Sequence, residues 1–323
     1  MKAIRYHQVG GPEVLRWEDA PEPVPGPGQV LVQVHAAGVN FADTERRRGL
    51  YDAQAPLPRI LGSEAAGVVR AVGPGVDASW VGRCVVALTK EAYAEAALAS
   101  VDELLVLPPE VSFEEAAGLL VQGLTAYHVV HTVGRVAAGQ TVLIHAAAGG
   151  VGLLAVQLAK AAGARVIGTV SGEAKAKLAR GVGADAVIRY DQEDVAARVS
   201  ELTQGRGVDR VLDSVGASTW KASMDALAPF GHLVSYGNAS GHPPHVEVES
   251  LYAKSLTVGA YWLRTPTPPE VQRKAREALL AEVVARRLHI LVGLALPLSR
   301  AEEAHRQLEG RRTVGKVVLL GSD

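Results

Sequence analysis

The residues most suited to chemistry form a glycine-rich turn at 146–152, between an apolar run and an apolar-periodic segment. The run before it, 142–145, predicts a buried strand, and the segment after it predicts a helix that ends at Gly163. A second apolar run, 165–170, predicts the next strand. A strand, a glycine-rich turn, a helix and a strand within about 30 residues form the βαβ unit of a dinucleotide-binding fold.

The spacing of the glycines in this turn indicates how it would hold a phosphate. Gly149 and Gly152 match the second and third glycines of the G-x-G-x-x-G fingerprint, whereas Ala147 takes the first position. Gly149 would let a pyrophosphate approach the backbone, and Gly152 would let helix and strand pack closely. Amide groups at the start of the helix, aided by the helix dipole, would then face the phosphate.

The residues after the second strand predict NADPH rather than NADH as the dinucleotide. An NAD site places Asp or Glu about 20 residues after the glycines, where it binds the ribose 2′-hydroxyl. This chain has Ser171 there, no carboxylate before Glu173, and Lys175 and Lys177 just beyond. A hydroxyl and an ammonium suit a 2′-phosphate, which a carboxylate would repel. The alternative is that the two lysines only solvate an exposed helix face.

Length and composition limit what the chain can be. The chain has 323 residues, which is longer than a single hydrophobic core usually accommodates, so two domains are expected. The balance of 33 basic and 34 acidic residues offers no electrostatic case for nucleic acid or an anionic membrane. Cys84 is the only cysteine, which favours a reducing compartment. No secretory segment or 18-residue apolar run is present, so we expect a soluble, cytoplasmic protein.

The elements that must position the turn follow from the pattern along the chain. Residues 1–111 predict many short strands with Gly/Pro turns, typical of a partly open barrel, and 61–76 predicts a strand pair. Ser112 and Glu115 fit a capping box that opens helical sequence to about His131.

Alternating strands and helices then predict a doubly wound parallel α/β sheet of six strands. The strands are expected at 142–146, 165–170, 186–190, 208–213, 232–236 and 256–262, with helices near 150–162, 173–180, 193–202 and 218–228. A long helix at 270–287, a strand, a helix at 299–309 and a closing strand at 316–320 follow, and we expect them to rejoin the first domain. The predicted domains are therefore 1–111 with 264–323, and 112–263.

Seven motifs distributed over nearly the whole chain carry a resemblance to a known family. They are GGPEVL (10–15), GVNFADT (38–44), LGSEAAGVV (61–69), GLTAY (123–127), HAAAGGVG (145–152), DSVG (213–216) and VSYGNASG (234–241). In these the chain resembles the medium-chain dehydrogenase/reductase superfamily, and within it the zinc-free quinone oxidoreductases of the ζ-crystallin type. The resemblance implies a GroES-like catalytic domain, a Rossmann NADP-binding domain and a homodimer.

The resemblance also bears on zinc. Zinc-dependent relatives carry a ligating cysteine near the 38–44 segment, a Gly-His-Glu and a lobe with four cysteines; here Gly62-Ser63-Glu64 takes the Gly-His-Glu position and Cys84 is alone. A catalytic zinc needs about three protein ligands, so we expect no metal. Without one, an acceptor that tolerates negative charge is expected, namely a quinone or an α,β-unsaturated carbonyl. The protein would mainly hold nicotinamide and acceptor face to face. The resemblance also allows reduction by single electrons to a semiquinone.

Site residues follow from the resemblance by matching positions. It implies that Asn40 and Asp43 lie near the nicotinamide and that Tyr51 lines the acceptor pocket. The implied cofactor-binding residues are Asn40, Thr125, Gly149, Gly150, Val151, Ser171, Lys175, Tyr190, Val215, Tyr236, Gly237, Asn238 and Arg311. No side chain qualifies as a general acid, so water is expected to supply the proton.

One departure from the family pattern concerns substrate choice. Many relatives have a tyrosine two residues after the position of Asp43, where this chain has Glu45 followed by Arg46, Arg47 and Arg48. Glu45 would disfavour anionic substrates if it faced the pocket, and inward-turned arginines would do the reverse. We expect the three arginines to form a solvated face.

The function predicted from the sequence is an NADPH-dependent, zinc-independent quinone reductase. An alternative with the same fold is an enoyl-thioester or alkenal double-bond reductase. An alternative of another class is a nucleotide-binding structural or RNA-binding protein. The balanced charge and the absence of an aromatic and basic platform argue against RNA binding.

Overall fold

The computed structural model describes residues 1–51 and 56–321, which form two compact units. The first comprises Met1–Gln122 with Arg276–Asp323, and the second comprises Gly123–Ala275. The domain boundaries predicted after residues 111 and 263 stay predictions. No helix within the described ranges is long and apolar enough to cross a membrane.

The amino-terminal part of the first unit is rich in β-strands. Its elements are β1 (Lys2–Tyr6), β2 (Arg16–Asp19), β3 (Gln29–Val39), α1 (Phe41–Arg47), β4 (Arg59–Ile60), β5 (Glu64–Val72), β6 (Cys84–Leu88), β7 (Ala96–Ser100), β8 (Leu104–Val106) and α2 (Phe113–Ala116). β1 pairs with β2 and β4, and the long strand β3 pairs with β5 and β7, all antiparallel.

The predicted strand pair at 61–76 is wrong, because the single strand β5 occupies most of that stretch. Gly67 lies within this strand. A Cβ at Gly67 would lie 1.8 Å from the carbonyl oxygen of Gln33, so the glycine serves the close approach of β3.

The predicted capping box is confirmed at the start of α2. Ser112 Oγ accepts from the amide of Glu115, and the amide of Ser112 donates to Glu115 Oε2, both at 3.2 Å. Helical conformation continues as predicted, through π-helical turns at Leu119–Gly123 and His128–Val133 on either side of α3 (Leu124–Tyr127).

The second unit contains the doubly wound sheet, which confirms the predicted fold class. Its elements after α3 are β9 (Thr141–Ile144), α4 (Gly150–Ala161), β10 (Arg165–Val170), α5 (Glu173–Gly181), β11 (Ala186–Arg189), α6 (Val195–Leu202), β12 (Val208–Asp213), α7 (Ala217–Ala226), β13 (Leu227–Ser235) and β14 (Thr257–Ala260). The six strands are parallel, in the order β11-β10-β9-β12-β13-β14. The order reverses between β9 and β12, so a ligand crevice is expected at the carboxyl ends of these strands.

The tail completes the sheet of the first unit. It contains α8 (Pro269–Val284), whose residues fall in both units, followed by β15 (Val292–Pro297), α9 (Ala301–Glu309) and β16 (Lys316–Leu320). β16 pairs with β15 and, antiparallel, with β3, where Val317 lies opposite Val39. This register brings the start of β16 beside the end of β3, next to Asn40.

Candidate active site

The glycine-rich turn has the geometry expected of a phosphate-binding turn. α4 begins at Gly150 with Gly149 as its N-cap, and no side chain caps it. A Cβ at Gly152 would lie 2.2 Å from the carbonyl oxygen of Ala146, so only glycine fits there. Ala146 itself has a φ of +52°, which is uncommon for a residue with a side chain. The amides of Gly150 and Val151 therefore start a helix whose N-terminus suits an anion.

A buried hydrogen-bond chain connects the three strand ends around this turn. His145 Nδ1 lies 3.0 Å from Thr169 Oγ1, and His145 Nε2 lies 2.9 Å from Ser223 Oγ. Because the Ser223 hydroxyl donates to Asp213 Oδ2, its oxygen accepts from His145 Nε2–H, and Thr169 donates to Nδ1. Burial lowers the pKa of His145, although the charge of Asp213 opposes this. The ring is therefore neutral, as it must be for Nδ1 to accept a hydrogen bond while Nε2 donates one.

Sequence reasoning missed this chain of side chains. His145 and Asp213 stand in the motifs HAAAGGVG and DSVG, and the signal was a polar residue at the end of a buried strand. The chain holds the ends of β9, β10 and β12 in a fixed arrangement.

The corner predicted to bind the 2′-phosphate lies where β10 and β11 end side by side. Val170 pairs with Arg189, so Ser171 and Tyr190 follow neighbouring strands. Lys175 is half-buried on α5, and Tyr190 is 44% exposed. Residues predicted from different parts of the sequence are thus placed at one corner of the sheet.

Arg189 is a further basic residue at this corner, which sequence reasoning missed. Its guanidinium lies 3.1 Å from Asp191 Oδ2 and 3.6 Å from Glu173 Oε2. The other oxygen of Asp191 accepts from the amide of Gly172 at 3.2 Å. The signal was the position of Arg189 as the last residue of its strand. A 2′-phosphate here would compete with two carboxylates for this guanidinium.

The loops after β12 and β13 are hydrogen-bonded to each other, which brings together Val215, Tyr236, Gly237 and Asn238. The amide of Ser240 donates to the carbonyl oxygen of Val215 at 2.8 Å, and the amide of Tyr236 donates to that of Asp213 at 2.9 Å. Asp213 Oδ1 also accepts from the amide of Val215 at 2.7 Å. Burial raises the pKa of Tyr236. Thr125 lies half-buried on α3 of the same unit.

In the first unit, Asn40 is held by a buried ion pair. Lys316 Nζ lies 2.9 Å from Asn40 Oδ1 and 2.6 Å from Glu64 Oε1. Asn40 Nδ2 donates to Glu64 Oε1 at 3.0 Å and to the carbonyl oxygen of Gly38 at 3.3 Å. An ammonium can only donate, so this orientation of the amide is the one that satisfies every partner. Both amide hydrogens of Asn40 are therefore used inside the unit.

Asp43 lies completely inside the same unit. Its carboxylate accepts from the amide of Asn40 at 2.9 Å, from Arg46 Nη1 at 3.0 Å, and from the hydroxyls of Ser63 and Tyr93, each at 3.2 Å. Burial raises the pKa of Asp43, against the opposing charge of Arg46. Asp43 therefore orders the start of α1 and has no surface through which to meet an acceptor.

The predicted solvated face of arginines is wrong for two of the three. Arg47 is 0% exposed and donates to Gly10 O, His305 Nδ1 and Glu309 Oε1, at 3.1, 3.1 and 2.7 Å. Arg46 is also buried, and Arg48 is exposed. Successive residues of a helix point about 100° apart, so three in a row cannot share one solvent face.

Tyr51 is joined to this arrangement by a cation–π contact. The guanidinium carbon of Arg46 lies 4.7 Å from the centroid of the Tyr51 ring. Glu45, half-buried on the same helix, has its pKa raised by burial. Tyr51 thus lies in the same unit as Asn40 and Asp43, and its predicted place in the acceptor pocket stays a prediction.

His305 connects Arg47 to Asp43 through Tyr93. The tautomer follows from the partners, because Arg47 can only donate and His305 Nδ1 must accept. His305 Nε2 then carries the hydrogen and donates to the Tyr93 oxygen at 3.3 Å, while the Tyr93 hydroxyl donates to Asp43. Burial, with a contribution from the charge of Arg47, lowers the pKa of His305 to about 3.

Two further observations concern the first unit and metal ions. Arg311, predicted to reach the cofactor, is exposed after α9 with a φ of +55°. Within residues 1–51 and 56–321, no group of three or more His, Cys, Asp or Glu side chains is arranged to hold a metal ion.

Comparison with protein families gives two matches. Residues 26–132 match the family model described as an alcohol dehydrogenase GroES-like domain. Residues 150–281 match the model described as a zinc-binding dehydrogenase.

Individual proteins match over nearly the full length. The chain is 43% identical to the quinone oxidoreductase of Pseudomonas aeruginosa, over 99% of each chain. It is 39% identical to the 2-haloacrylate reductase of a Burkholderia species, over 98% of each. The solved structure of Escherichia coli quinone oxidoreductase complexed with NADPH matches with a TM-score of 0.94 and 39% identity, covering 99% of this chain and 100% of that one.

Proposed function

The chain belongs to the quinone oxidoreductases of the medium-chain dehydrogenase/reductase superfamily, and we propose that it transfers reducing equivalents from NADPH to a quinone without zinc. The observation that supports this most is the pair of anion-binding features at the carboxyl ends of β9 and β10. These are the uncapped start of α4 and a corner that offers Ser171, Lys175 and Arg189.

The residues of the second unit fit NADPH. The space where a Gly152 side chain would stand is closed by Ala146, and the amides of Gly150 and Val151 would hold the pyrophosphate. Ser171 and Lys175 would bind the 2′-phosphate. Tyr190 would cover the adenine, and the loop pair with Val215, Tyr236, Gly237 and Asn238, together with Thr125, would hold the nicotinamide end. When bound, NADPH supplies the hydride that reduces the acceptor.

Where the structure describes the first unit, Asn40, Ser63 and Glu64 do not fit a zinc ion. The family model described as zinc-binding matches residues 150–281. Glu64 and Asn40 bind the ammonium of Lys316, which would repel a metal cation. Ser63 is used by Arg46 Nη1 at 2.7 Å. We therefore propose that Asn40 and Asp43 position the acceptor side, that Tyr51 lines it, and that water gives the final proton.

Absorbance at 340 nm tests the proposal. We expect NADPH to be oxidised with 1,4-benzoquinone and 9,10-phenanthrenequinone, with NADH a poorer donor. Prior treatment with a zinc chelator should leave the rate unchanged. A protein that binds neither pyridine nucleotide, or that needs stoichiometric zinc for activity, would contradict the proposal.

A second candidate is reduction of an activated carbon–carbon double bond. The observation in its favour is the 39% identity to a 2-haloacrylate reductase over 98% of each chain. Crotonyl-CoA, 2-alkenals and 2-chloroacrylate in the same assay distinguish the two functions. A kcat/KM that is higher for these acceptors than for quinones would favour the second.

We also propose that the chain forms a homodimer through β14, in the cytoplasm. β14 is the last strand of its sheet, and apolar side chains near it are exposed, Tyr252 by 70% and Trp262 by 52%. The single cysteine, Cys84, suits a reducing compartment. Light scattering coupled to gel filtration tests the dimer, and elution at the monomer mass of 33.8 kDa would contradict it.

A further inference from the structure

The structure holds a guanidinium in one orientation next to the proposed acceptor side. Arg46 Nη1 donates to Asp43 Oδ1 at 3.0 Å and to Ser63 Oγ at 2.7 Å. The same guanidinium lies over the Tyr51 ring, 4.7 Å from its centroid. A planar ion fixed on one edge by two acceptors and on its face by an aromatic ring cannot reorient as a surface arginine does.

This charge lies closer to solvent than the other charges of the cluster. The Arg46 side chain is 9% exposed, whereas Asp43 is 0% exposed and the Lys316 and Glu64 side chains are 1% and 0% exposed. The Asp43 carboxylate accepts hydrogen bonds from four donors, all of them inside the unit. Arg46 is therefore the most exposed of these four charged side chains, and it is the one that contacts the Tyr51 ring.

We propose that Arg46 positions the Tyr51 ring and supplies the fixed positive charge that stabilises the acceptor as it is reduced. The inference rests on the proposed quinone reductase function. In that reaction a C–H bond of the reduced nicotinamide breaks and its hydride passes to the quinone. The quinone becomes a hydroquinone monoanion, which takes its second proton from water. A fixed cation lowers the free energy of that anion, and of the transition state that leads to it, because it needs no reorganisation.

Substitutions at Arg46 test this with a matched neighbour as control. Arg46→Met removes the charge at similar length, Arg46→Lys keeps it, and Arg48→Met removes an exposed charge from the same segment. Each is assayed with a series of para-benzoquinones of graded reduction potential. We expect Arg46→Met to lower kcat on the order of 10- to 100-fold for the weakest acceptors. The loss of kcat should be smaller for quinones that are stronger oxidants, because their hydroquinone monoanions are more stable and gain less from a nearby positive charge.

Two further results distinguish this role from a purely structural one. Arg46→Lys should recover most of the lost kcat, and the KM for NADPH should stay within about twofold of wild type in all three variants. A structural defect would instead lower kcat by one factor for every quinone, without rescue by lysine.

Specific outcomes would overturn the inference. A loss that is uniform across the quinone series, or no greater than that of Arg48→Met, would do so. If Arg46→Met fails to fold, Arg46→Gln replaces it as the variant without the charge. Its loss of kcat across the quinone series is then compared with that of Arg46→Lys, and the same outcomes support or overturn the inference. Wild-type protein that reduces no quinone would overturn the proposed function itself, whereas an active wild type with unaffected variants overturns only the role of Arg46.

Discussion

Lys316 Nζ lies 2.6 Å from Glu64 Oε1, with the two side chains 1% and 0% exposed. Glu64 stands at the start of β5 and Lys316 at the start of β16, so the pair joins the tail to the amino-terminal part of the first unit. Asn40 completes the group by accepting from the ammonium and donating to the carboxylate.

Removing one partner of this pair should be strongly destabilising. Lys316→Met leaves the Glu64 carboxylate buried without its cation, which we expect to lower the free energy of unfolding by about 3–5 kcal/mol. The double variant Lys316→Met/Glu64→Gln should recover more than half of that loss, because no charge is left unpaired. Urea unfolding measures both.

The control for this experiment is an exposed ion pair. Lys221 and Asp225 form one with side chains 89% and 49% exposed, and Lys221→Ala should leave the urea midpoint close to wild type. A Lys316→Met protein as stable as Lys221→Ala would show that Glu64 needs no cation.

His305 should make the stability of the protein depend on pH. The unfolded histidine binds a proton below its ordinary pKa of 6.5, whereas the folded one does so only near 3. Between these values the unfolded chain binds more protons, so stability is lost as the pH falls from 6.5. His305→Gln removes this titration. Between pH 7 and 5 it should lose about 2 kcal/mol less than wild type in urea unfolding.

The prediction concerns how much the free energy of unfolding falls between pH 7 and 5, and not its value at pH 7. A His305→Gln protein that is less stable at pH 7 is therefore compatible with it. Equal losses on acidification in both proteins would contradict the assignment of a neutral, buried His305.

Gly152→Ala should disrupt the glycine-rich turn and, if the turn holds the pyrophosphate as proposed, weaken NADPH binding. The added Cβ would lie 2.2 Å from the carbonyl oxygen of Ala146, so the turn and α4 must separate, at a cost of about 1–3 kcal/mol. We expect the Kd for NADPH to rise at least about tenfold as the amides of α4 move away from the phosphate, a change of about 1.4 kcal/mol. Fluorescence titration with NADPH measures it.

Gly181→Ala is the matched control for this substitution. Gly181 ends α5, and a Cβ there meets nothing within 4 Å. It should bind NADPH like wild type and be stabilised by up to about 1 kcal/mol through loss of unfolded-chain entropy. If Gly152→Ala also binds NADPH normally, the turn does not hold the pyrophosphate.

Lys175→Ala should weaken binding of NADPH alone. A charged hydrogen bond to the 2′-phosphate contributes about 1.5–3 kcal/mol, so the KM for NADPH should rise about 10- to 100-fold while the KM for NADH is unchanged. Lys177, two residues on and exposed, is the control, and Lys177→Ala should change either KM by less than about twofold. Equal loss for both coenzymes would show that Lys175 does not recognise the 2′-phosphate.

Local signals in the sequence were sufficient for the elements of the second unit. The apolar runs and their periodicity placed the six strands in order, and Gly152 was identified from its spacing alone. Ser112 and Glu115 predicted a capping box that the structure contains, because both partners lie within one turn of helix. The strand pair expected at 61–76 is wrong because one strand, β5, runs from Glu64 to Val72. Within it Gly67 allows the close approach of β3, a long-range contact that no local pattern predicts.

The same limit explains the error about the three arginines. In the sequence, Arg46 and Arg47 belong to a run of three arginines that is typical of a solvent-exposed face. In the structure, Arg47 is buried and hydrogen-bonded to His305, which lies 258 residues away. Asn40 accepts a hydrogen bond from Lys316, which lies 276 residues away, and no local pattern predicts this contact.

The sequence by itself determined the order of strands and helices and the position of the glycine-rich turn, because periodicity, capping and glycine spacing act between near neighbours. The family followed from the resemblance carried by the seven motifs. Only the tertiary structure decided which charges are buried and what they bind. A charged side chain can leave water only when partners from distant segments replace its hydration. Those partners for Lys316 and Arg47 are brought together by the pairing of β16 with β3 and by the packing of α9 near α1.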